Sequence, residues 1–528
     1  MSLSLLEQTA APAVEPAAPV ARQWDALAVA LLAVLVSAAG AARPSLWFDE
    51  AATISAGTRP LPELWRMLAN IDAVHGLYYL VMHGWFAVFP ATEFATRLSS
   101  CVAVGLAAAG VVVLGRQIST RTVAVTAGLI FAVLPRVTWA GTEARSYAWT
   151  MAAAVWLTVL CVLAARRAQT RWWVLYGMLL AVASVLNVFL ILMVLVHAVV
   201  VVAFGRTTGL LRAWSLACAG AGAAVTPFLM FAQGQLFQVH WISPPGTHTF
   251  TQIARDQYFD RALPFALLAA ALIVAGLISL ARHGDAAGEQ PWRLVATTVA
   301  WIVLPTAALL VYSSVRQPLY YPRYLTFTAP AIALLLGLCL TSVARSRTTL
   351  AAILVLSVAA AVPNYLSQRG PYAKERMDYS RVADVIDRHA APGDCLVMDN
   401  STTWKPGPIR PMLAARPAAF EKLHDYGRGR SARERNMLWD AHVAVWAWAD
   451  RMPDCPALWT ITERDPALPD RQRGPALPAG PRLTGAMAYQ VPSRFGFRVV
   501  ERWQFSFAQV TKSVRPAGVH GAGLRSPG

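Results

Sequence analysis

The chain has 528 residues, 56% of them hydrophobic and only 14% charged, with 19 Trp. That balance excludes an ordinary soluble globular protein and points to a polytopic membrane protein. The net charge of +17 comes mainly from Arg, because Lys occurs only at Lys374, Lys405, Lys422 and Lys512; no Arg-rich block with interleaved aromatics suggests nucleic-acid binding, so the excess fits membrane-flanking loops and anionic ligands.

Residues 1–23 contain the Ala/Pro-rich stretch MSLSLLEQTAAPAVEPAAPVAR, too long and too acidic for the n-region of a cleavable signal peptide, and are read as a disordered cytoplasmic tail. Apolar runs near the ~20 residues that cross a bilayer then fall at about 24–42, 98–115, 122–138, 147–165, 172–186, 188–204, 211–232, 263–281, 294–313, 324–343 and 349–365. A further run, HGLYYLVMHGWFAVFP at 75–90, is shorter, carries His75 and His83 and is closed by Pro90.

The positive-inside rule decides whether that run spans. If it does not, and the N-terminus is cytoplasmic, the inside loops hold Arg116, Arg121, Arg166, Arg167, Arg171, Arg206, Arg212, Arg282, Arg293, Arg345 and Arg347, eleven in all; the opposite assignment places inside only seven, Arg97, Arg136, Arg145, Arg255, Arg261, Arg316 and Arg323. The count favours about eleven spans with the N-terminus inside, residues 75–90 as a helix leaning into the outer leaflet, and the long C-terminal part outside.

From 366 to 514 the pattern becomes that of an extracytoplasmic α/β domain. SRVADVIDRHAA has helical spacing and leads through the turn PGD to the strand CLVMD; ARERNMLWDAHVAVWAWADRM reads as helix, ALWTITERD as strand, and FRVVERWQF with FAQVTKSVR as a terminal strand pair. No nucleophile elbow, metal spacing or Gly-rich phosphate loop occurs here, which points to packing or acceptor docking. Cys395 and Cys455 can pair if this part lies outside the cytoplasm, whereas Cys101, Cys161, Cys218 and Cys339 lie in apolar runs and read as core thiols. Residues 515–528, ending GAGLRSPG, read as a disordered tail.

With this topology the unusual polar stretches share one side. The first outer loop opens with WFDE, which carries Asp49 and Glu50, and continues to Asp72 and His75; TEFATRLSS brings Glu93 and Arg97, TEARSYAW brings Glu143, Arg145 and Tyr147, and RQPLYYPRYL brings Arg323 and Tyr324. Singly, each has a bland explanation as an interfacial cap, an Arg anchor or a member of the aromatic belt. Together, carboxylates, Arg and Tyr at one face describe a ligand cavity. A carboxylate suits a general base for a hydroxyl nucleophile, and guanidinium and phenol donors suit a phosphate. ATP and sugar nucleotides are cytoplasmic, so an activated substrate on this side has to arrive through the membrane, as a polyprenyl-phosphate sugar does.

These residues resemble the GT-C glycosyltransferases, in particular the branch of the protein O-mannosyltransferases and the lipid A aminoarabinose transferase (glycosyltransferase family 39-like), over most of the first 365 residues. The shared features are Asp49–Glu50 after the first span, a His-x-x-Tyr-Tyr stretch here reading His75, Gly76, Leu77, Tyr78 and Tyr79, Glu93-Phe94-Ala95-x-Arg97-Leu98, Glu143-Ala144-Arg145-x-Tyr147, and Pro322-Arg323-Tyr324. The family's Pro pair after His75 is missing, and Ser99 stands where the family often has Pro. The resemblance implies a GT-C fold and an inverting transfer of one sugar, mannose in most look-alikes and arabinofuranose as an alternative, from a polyprenyl phosphate to a glycolipid, polysaccharide or protein hydroxyl. It implies Asp49 as base with Glu50 positioning it, and Arg97, Arg145, Arg323, Tyr147, Tyr324 and His75 on the donor. No metal signature is recognisable, though Asp49, Glu50, Asp72 and His75 leave a divalent cation open. A lipid-linked sugar transporter or flippase is the rival class; repeated halves or broken mid-membrane helices would favour it, and neither is evident.

Overall fold

The computed structural model describes residues 24–205, 207–283, 290–399 and 410–516; the expected tail at 1–23, and that at 515–528 apart from its first two residues, lie outside the described residues. The protein is a polytopic α-helical membrane protein with a C-terminal domain. After α1 (Trp24–Ala38), three short helices, α2 (Phe48–Gly57), α3 (Leu61–Leu68) and α4 (Gly76–Phe86), form the stretch read above as the first outer loop. Then come α5 (Glu93–Ile118), α6 (Arg121–Val133), α7 (Pro135–Ala140), α8 (Tyr147–Arg167), α9 (Thr170–Leu186), α10 (Met193–Phe204), α11 (Thr208–Gln233), α12 (Thr247–Thr251), α13 (Leu263–His283), α14 (Gln290–Val315), α15 (Ala329–Val343) and α16 (Arg347–Ser367).

All eleven apolar runs are helical. Seven form helices long and apolar enough to cross a membrane, and four lie in shorter apolar helices, Trp24–Ala38, Arg121–Val133, Thr170–Leu186 and Val188–Phe204. Starts are set locally: Thr92, Thr120, Thr207 and Ser346 cap α5, α6, α11 and α16 by accepting from a backbone N–H three residues on. α5 is central, packed against α1, α6 and α8. Its contact with α1 depends on Gly105, where a Cβ would stand 2.4 Å from Val34 Cγ2 and 3.1 Å from the Ala30 carbonyl, the close backbone approach small residues allow in membrane bundles. Within the run at 75–90, α4 has 11 residues, about 16 Å at 1.5 Å per residue, and buries Tyr78, Tyr79 and Met82 in one cluster with residues of α2 and α3.

The C-terminal part opens with α17 (Tyr379–His389) and builds a five-stranded sheet from β1 (Cys395–Met398), β2 (Ala457–Glu463), β3 (Arg471–Leu477), β4 (Arg498–Gln504) and β5 (Ala508–Val514), in the order β1-β2-β5-β4-β3. β1 and β2 are parallel and the remaining pairs antiparallel, including the terminal β4–β5 pair expected from sequence. Cys395 and Cys455 form a disulfide. Two expectations are corrected. ARERNMLWDAHVAVWAWADRM is not a helix but a hairpin followed by a 3-10 segment at Val445–Asp454, because its apolar residues serve two different cores: Leu438 packs on the outer loop, and Val445, Trp448 and Met452 pack under the sheet. β3, RQRGPAL, went unrecognised because it is an edge strand with an exposed face and internal Gly and Pro.

The sheet domain and the outer loop share a core. Leu46, Trp47, Ala51 and Ile54 lie in one cluster with Met377, Tyr379, Val382, Trp459 and Val510. Ser380 bonds to both Ser45 and Leu46 across the two parts, its N donating to Ser45 Oγ at 2.9 Å and its Oγ accepting from Leu46 N at 3.0 Å. Ser380 Oγ and Arg416 in turn donate to Glu93 at 2.6 and 2.7 Å. α2 is thereby held between the helical bundle and the sheet domain.

Candidate active site

α2 starts at Phe48 immediately after an extended Trp47, so Asp49 and Glu50 fall in its first turn, where carboxylates are favoured by the helix dipole. A step of one residue turns a side chain by about 100° on a helix, and the two carboxylates point to different surroundings.

Glu50 is fully buried and grips Arg97 of α5 with both oxygens, Arg97 Nε donating to Oε1 at 2.7 Å and Nη2 to Oε2 at 2.6 Å. The other three Arg97 N–H groups donate to the carbonyls of Ala41, Pro44 and Ser45 at 2.7, 2.8 and 3.1 Å. All five guanidinium donors are committed and the side chain has no solvent exposure, which leaves Arg97 nothing to offer a phosphate. Glu50 Oε1 also accepts from Ala144 N at 3.2 Å.

Asp49 faces the opposite situation. Its Oδ2 lies 3.6 Å from Arg323 Nη2 and 3.9 Å from Arg145 Nε, beyond direct hydrogen-bond length, and it retains 14% side-chain exposure. Nε of both Arg145 and Arg323 is buried without a hydrogen-bond partner. Arg323, on the 3-10 turn Pro322–Thr328 before α15, lies among the rings of Tyr321, Trp47 and Trp241 at 5.0, 5.6 and 5.9 Å. Desolvation works against the charge of Arg145, but Tyr79, Asp49 and Asp72 outweigh it and hold its pKa well above the ordinary value.

Arg145 is oriented by α4. Its Nη1 donates to Tyr79 Oη at 3.0 Å and its Nη2 to His75 Nε2 at 2.9 Å, while Tyr79 donates to Asp72 Oδ2 at 2.6 Å. An Arg has only donors, so His75 accepts through Nε2 and is neutral; burial and the adjacent guanidinium push its pKa well below the usual 6.5. Tyr147 and Tyr324 are placed by ring packing, against Trp139 at 5.3 Å and against Phe189 at 5.6 Å respectively. Of the residues expected to form the site, Asp49, Arg145, Arg323 and His75 converge by direct contact, Tyr147 and Tyr324 flank them, and Glu50 with Arg97 forms a separate buried pair.

Sequence reasoning named Asp72 and Tyr79 without giving them this role, and missed Lys374. Tyr79 and Asp72 orient Arg145; the Tyr pair after His75 was the available signal. Lys374, just beyond α16, donates to Thr142 at 3.0 Å and pairs with Glu143, which also accepts from Trp47 Nε1 at 3.1 Å. Burial pushes Glu143 up to about 7, with Lys374 pulling the other way. The rarity of Lys in this chain was the only hint. Asp49, Glu50, Asp72 and His75 do not make a cation site, since each carboxylate or ring is turned to a guanidinium or a phenol, and among the described residues no group of three His, Cys, Asp or Glu could hold a metal ion.

Arg323 also lines a cavity of about 520 Å3 that Asp49 does not line, a size typical of ligand pockets. Its lining combines Arg136, Trp139, Asp260 and Tyr321 with Leu263 and Pro264 of α13 and Ala360 and Pro363 of α16. Two solved structures of ArnT from Cupriavidus metallidurans, one in the apo state and one bound to undecaprenyl phosphate, match 94% of this chain and 98% of theirs at 14% identity, with TM-scores of 0.58 and 0.57. The fold is shared. A fold shared with a lipid-linked sugar transferase is what the motif resemblance implied. No protein-family model and no curated protein matches the sequence.

Proposed function

We propose that the protein is an inverting glycosyltransferase that moves one sugar from a polyprenyl-phosphate donor to a hydroxyl acceptor on the outer face of the cytoplasmic membrane. The observation that carries this reading is the Asp49 carboxylate standing 3.6 and 3.9 Å from two guanidinium groups, neither of which donates a hydrogen bond from Nε. A proton acceptor and anion-binding cations meet at one point without being consumed by each other.

Asp49 takes the proton of the acceptor hydroxyl as its oxygen attacks the anomeric carbon. The bond from that carbon to the phosphate oxygen breaks, and the polyprenyl phosphate leaves with its new negative charge against Arg145 and Arg323, where fixed donors act on charge as it develops. Tyr147 and Tyr324 complete the donor side. His75 and Tyr79 hold the Arg145 fork in place, and Glu50 with Arg97 fixes the turn that presents Asp49, a positioning role in place of the phosphate contact implied by the motif. The mixed polar and apolar lining of the 520 Å3 cavity suits a phosphate head with its prenyl tail passing between α13 and α16, and the undecaprenyl phosphate bound to a protein of the same fold supports that ligand class. The N-terminus is inside and the sheet domain outside; the Cys395–Cys455 disulfide supports this side, since such bonds persist in oxidising compartments. Mannose is the donor sugar taken forward, with arabinofuranose as the alternative, and the acceptor is a glycolipid, polysaccharide or protein.

The test is purified protein in proteoliposomes with radiolabelled undecaprenyl-phosphate mannose or arabinofuranose and octyl mannoside as hydroxyl probe. Transfer of label to the probe with inversion supports the reading. Label that crosses the bilayer still joined to its lipid makes the protein a transporter instead.

A further inference from the structure

Residues 427–443 reach out of the sheet domain as a hairpin: Gly429 N donates to Ala441 O, Ala441 N to Arg430 O and Val443 N to Gly427 O at 2.8–2.9 Å. Its tip, Met437–Leu438–Trp439, packs against residues of α2. Leu438 is buried among Ala52, Ala56, Leu64, Tyr78 and Tyr79 of the outer loop, and the Trp439 ring stands 5.3 Å from that of Phe48, the residue before Asp49. At the other end of α2, Ser55 Oγ donates to the Leu438 carbonyl at 2.8 Å and Arg59 Nη2 to the Met437 carbonyl at 2.6 Å. Arg59 Nε closes back onto Ser55 O at 2.9 Å, so this one side chain ties the end of α2 to the hairpin.

We infer that this hairpin is a latch through which the sheet domain sets the position of Asp49, with Arg59 and Trp439 as positioning residues. The inference rests on the reading of Asp49 as the group that meets the acceptor. Its physical basis is leverage: α2 has 10 residues, about 15 Å at 1.5 Å per residue, and carries Asp49 at one end and the Arg59 tie just past the other. Phe48 and Leu438 fix rotation about its axis. Glu50 with Arg97 and Thr53 with the Ala144 carbonyl hold the first turns of α2 to the bundle, the hairpin supplies the hold at the far end, and the Asp49 contacts of 3.6 and 3.9 Å are too long to fix its side chain. A shift of the order of 1 Å at a reacting group costs roughly 100-fold in rate.

The test compares Arg59→Ala, Arg59→Lys and Trp439→Ala with wild type in full-length, reconstituted protein. Two quantities are read: the number of sites that bind undecaprenyl phosphate, and the turnover per such site from undecaprenyl-phosphate mannose to octyl mannoside. Arg59→Ala and Trp439→Ala are expected to keep phosphate binding per site while turnover per site falls roughly 10–100-fold, with Arg59→Lys in between because an ammonium can still reach one carbonyl. A merely structural hairpin gives the opposite split, with fewer binding sites at wild-type turnover per site, and overturns the proposal. If Arg59→Ala yields no binding-competent protein, Trp439→Ala and Arg59→Lys are read by the same two outcomes. Asp49→Asn run alongside separates the failures: full transfer by that variant sinks the site reading itself, whereas a dead Asp49→Asn with a fully active latch variant sinks only the latch.

Discussion

Two neighbouring carboxylates, one residue apart, end in opposite electrostatic situations. Glu50 and Arg97 form a closed unit in which every guanidinium N–H has a partner between 2.6 and 3.1 Å and neither side chain is exposed. Asp49, Arg145 and Arg323 form an open one, with longer separations, residual exposure and donors left over. Removing two charges from water is costly unless every lone pair and proton is matched, so the closed unit is what a scaffold requires. The open unit keeps that matching incomplete, which is what the proposed binding of a phosphate and a hydroxyl requires. Acid and base types are the same in both; satisfaction of the donors separates them.

The most severe way to break the contrast is Arg97→Ala, which leaves the Glu50 carboxylate buried and alone. The expected loss is about 3–5 kcal/mol of stability, seen as a collapse in the yield of monodisperse protein and a lower thermal transition in detergent. Motif logic alone would have expected a folded, inactive protein from the same change. Asp49→Asn is the converse: transfer falls roughly 100- to 10,000-fold, the range for loss of a general base, while the thermal transition stays near that of wild type. A normal rate would remove Asp49 from the chemistry.

Smaller changes sharpen the distinction within the open unit. Arg145→Lys and Arg323→Lys preserve charge but lose the planar fork, and each is expected to reduce turnover by about 10- to 100-fold, less than removal of a whole transition-state donor, measured as kcat at saturating donor. An Arg323→Lys variant at full speed would shift the phosphate contact to Arg145 alone. The smallest effect belongs to a third kind of pair, Arg433 with Glu63 at 3.3 Å, whose Arg is 62% exposed. Arg433→Ala is expected to change stability by less than about 1 kcal/mol and to leave transfer per site unaltered.

Much of this was legible in the chain itself. Eleven apolar runs could be counted, the short run at 75–90 could be set aside, and the motifs bearing Asp49, Arg145, Arg323 and His75 named groups that do meet. What local sequence could not say was which carboxylate would be sealed, because that depends on three carbonyls, at Ala41, Pro44 and Ser45, all turning toward Arg97. Lys374 was silent for a related reason: its partner Glu143 lies 231 positions away. The stretch at 432–452 has apolar spacing that reads as one helix, yet Leu438 and Trp448 belong to different cores, and periodicity has no means of dividing a segment between two bodies.

One consequence follows from the core that joins residues 46–54 to residues 377–510. The helix bearing Asp49 occupies residues 48–57, but the surface it settles against is made only from residue 377 onward, after the last of the apolar helices. Until that stretch has been synthesised the helix has no roof, and α2 reaches its final packing late in the making of the chain.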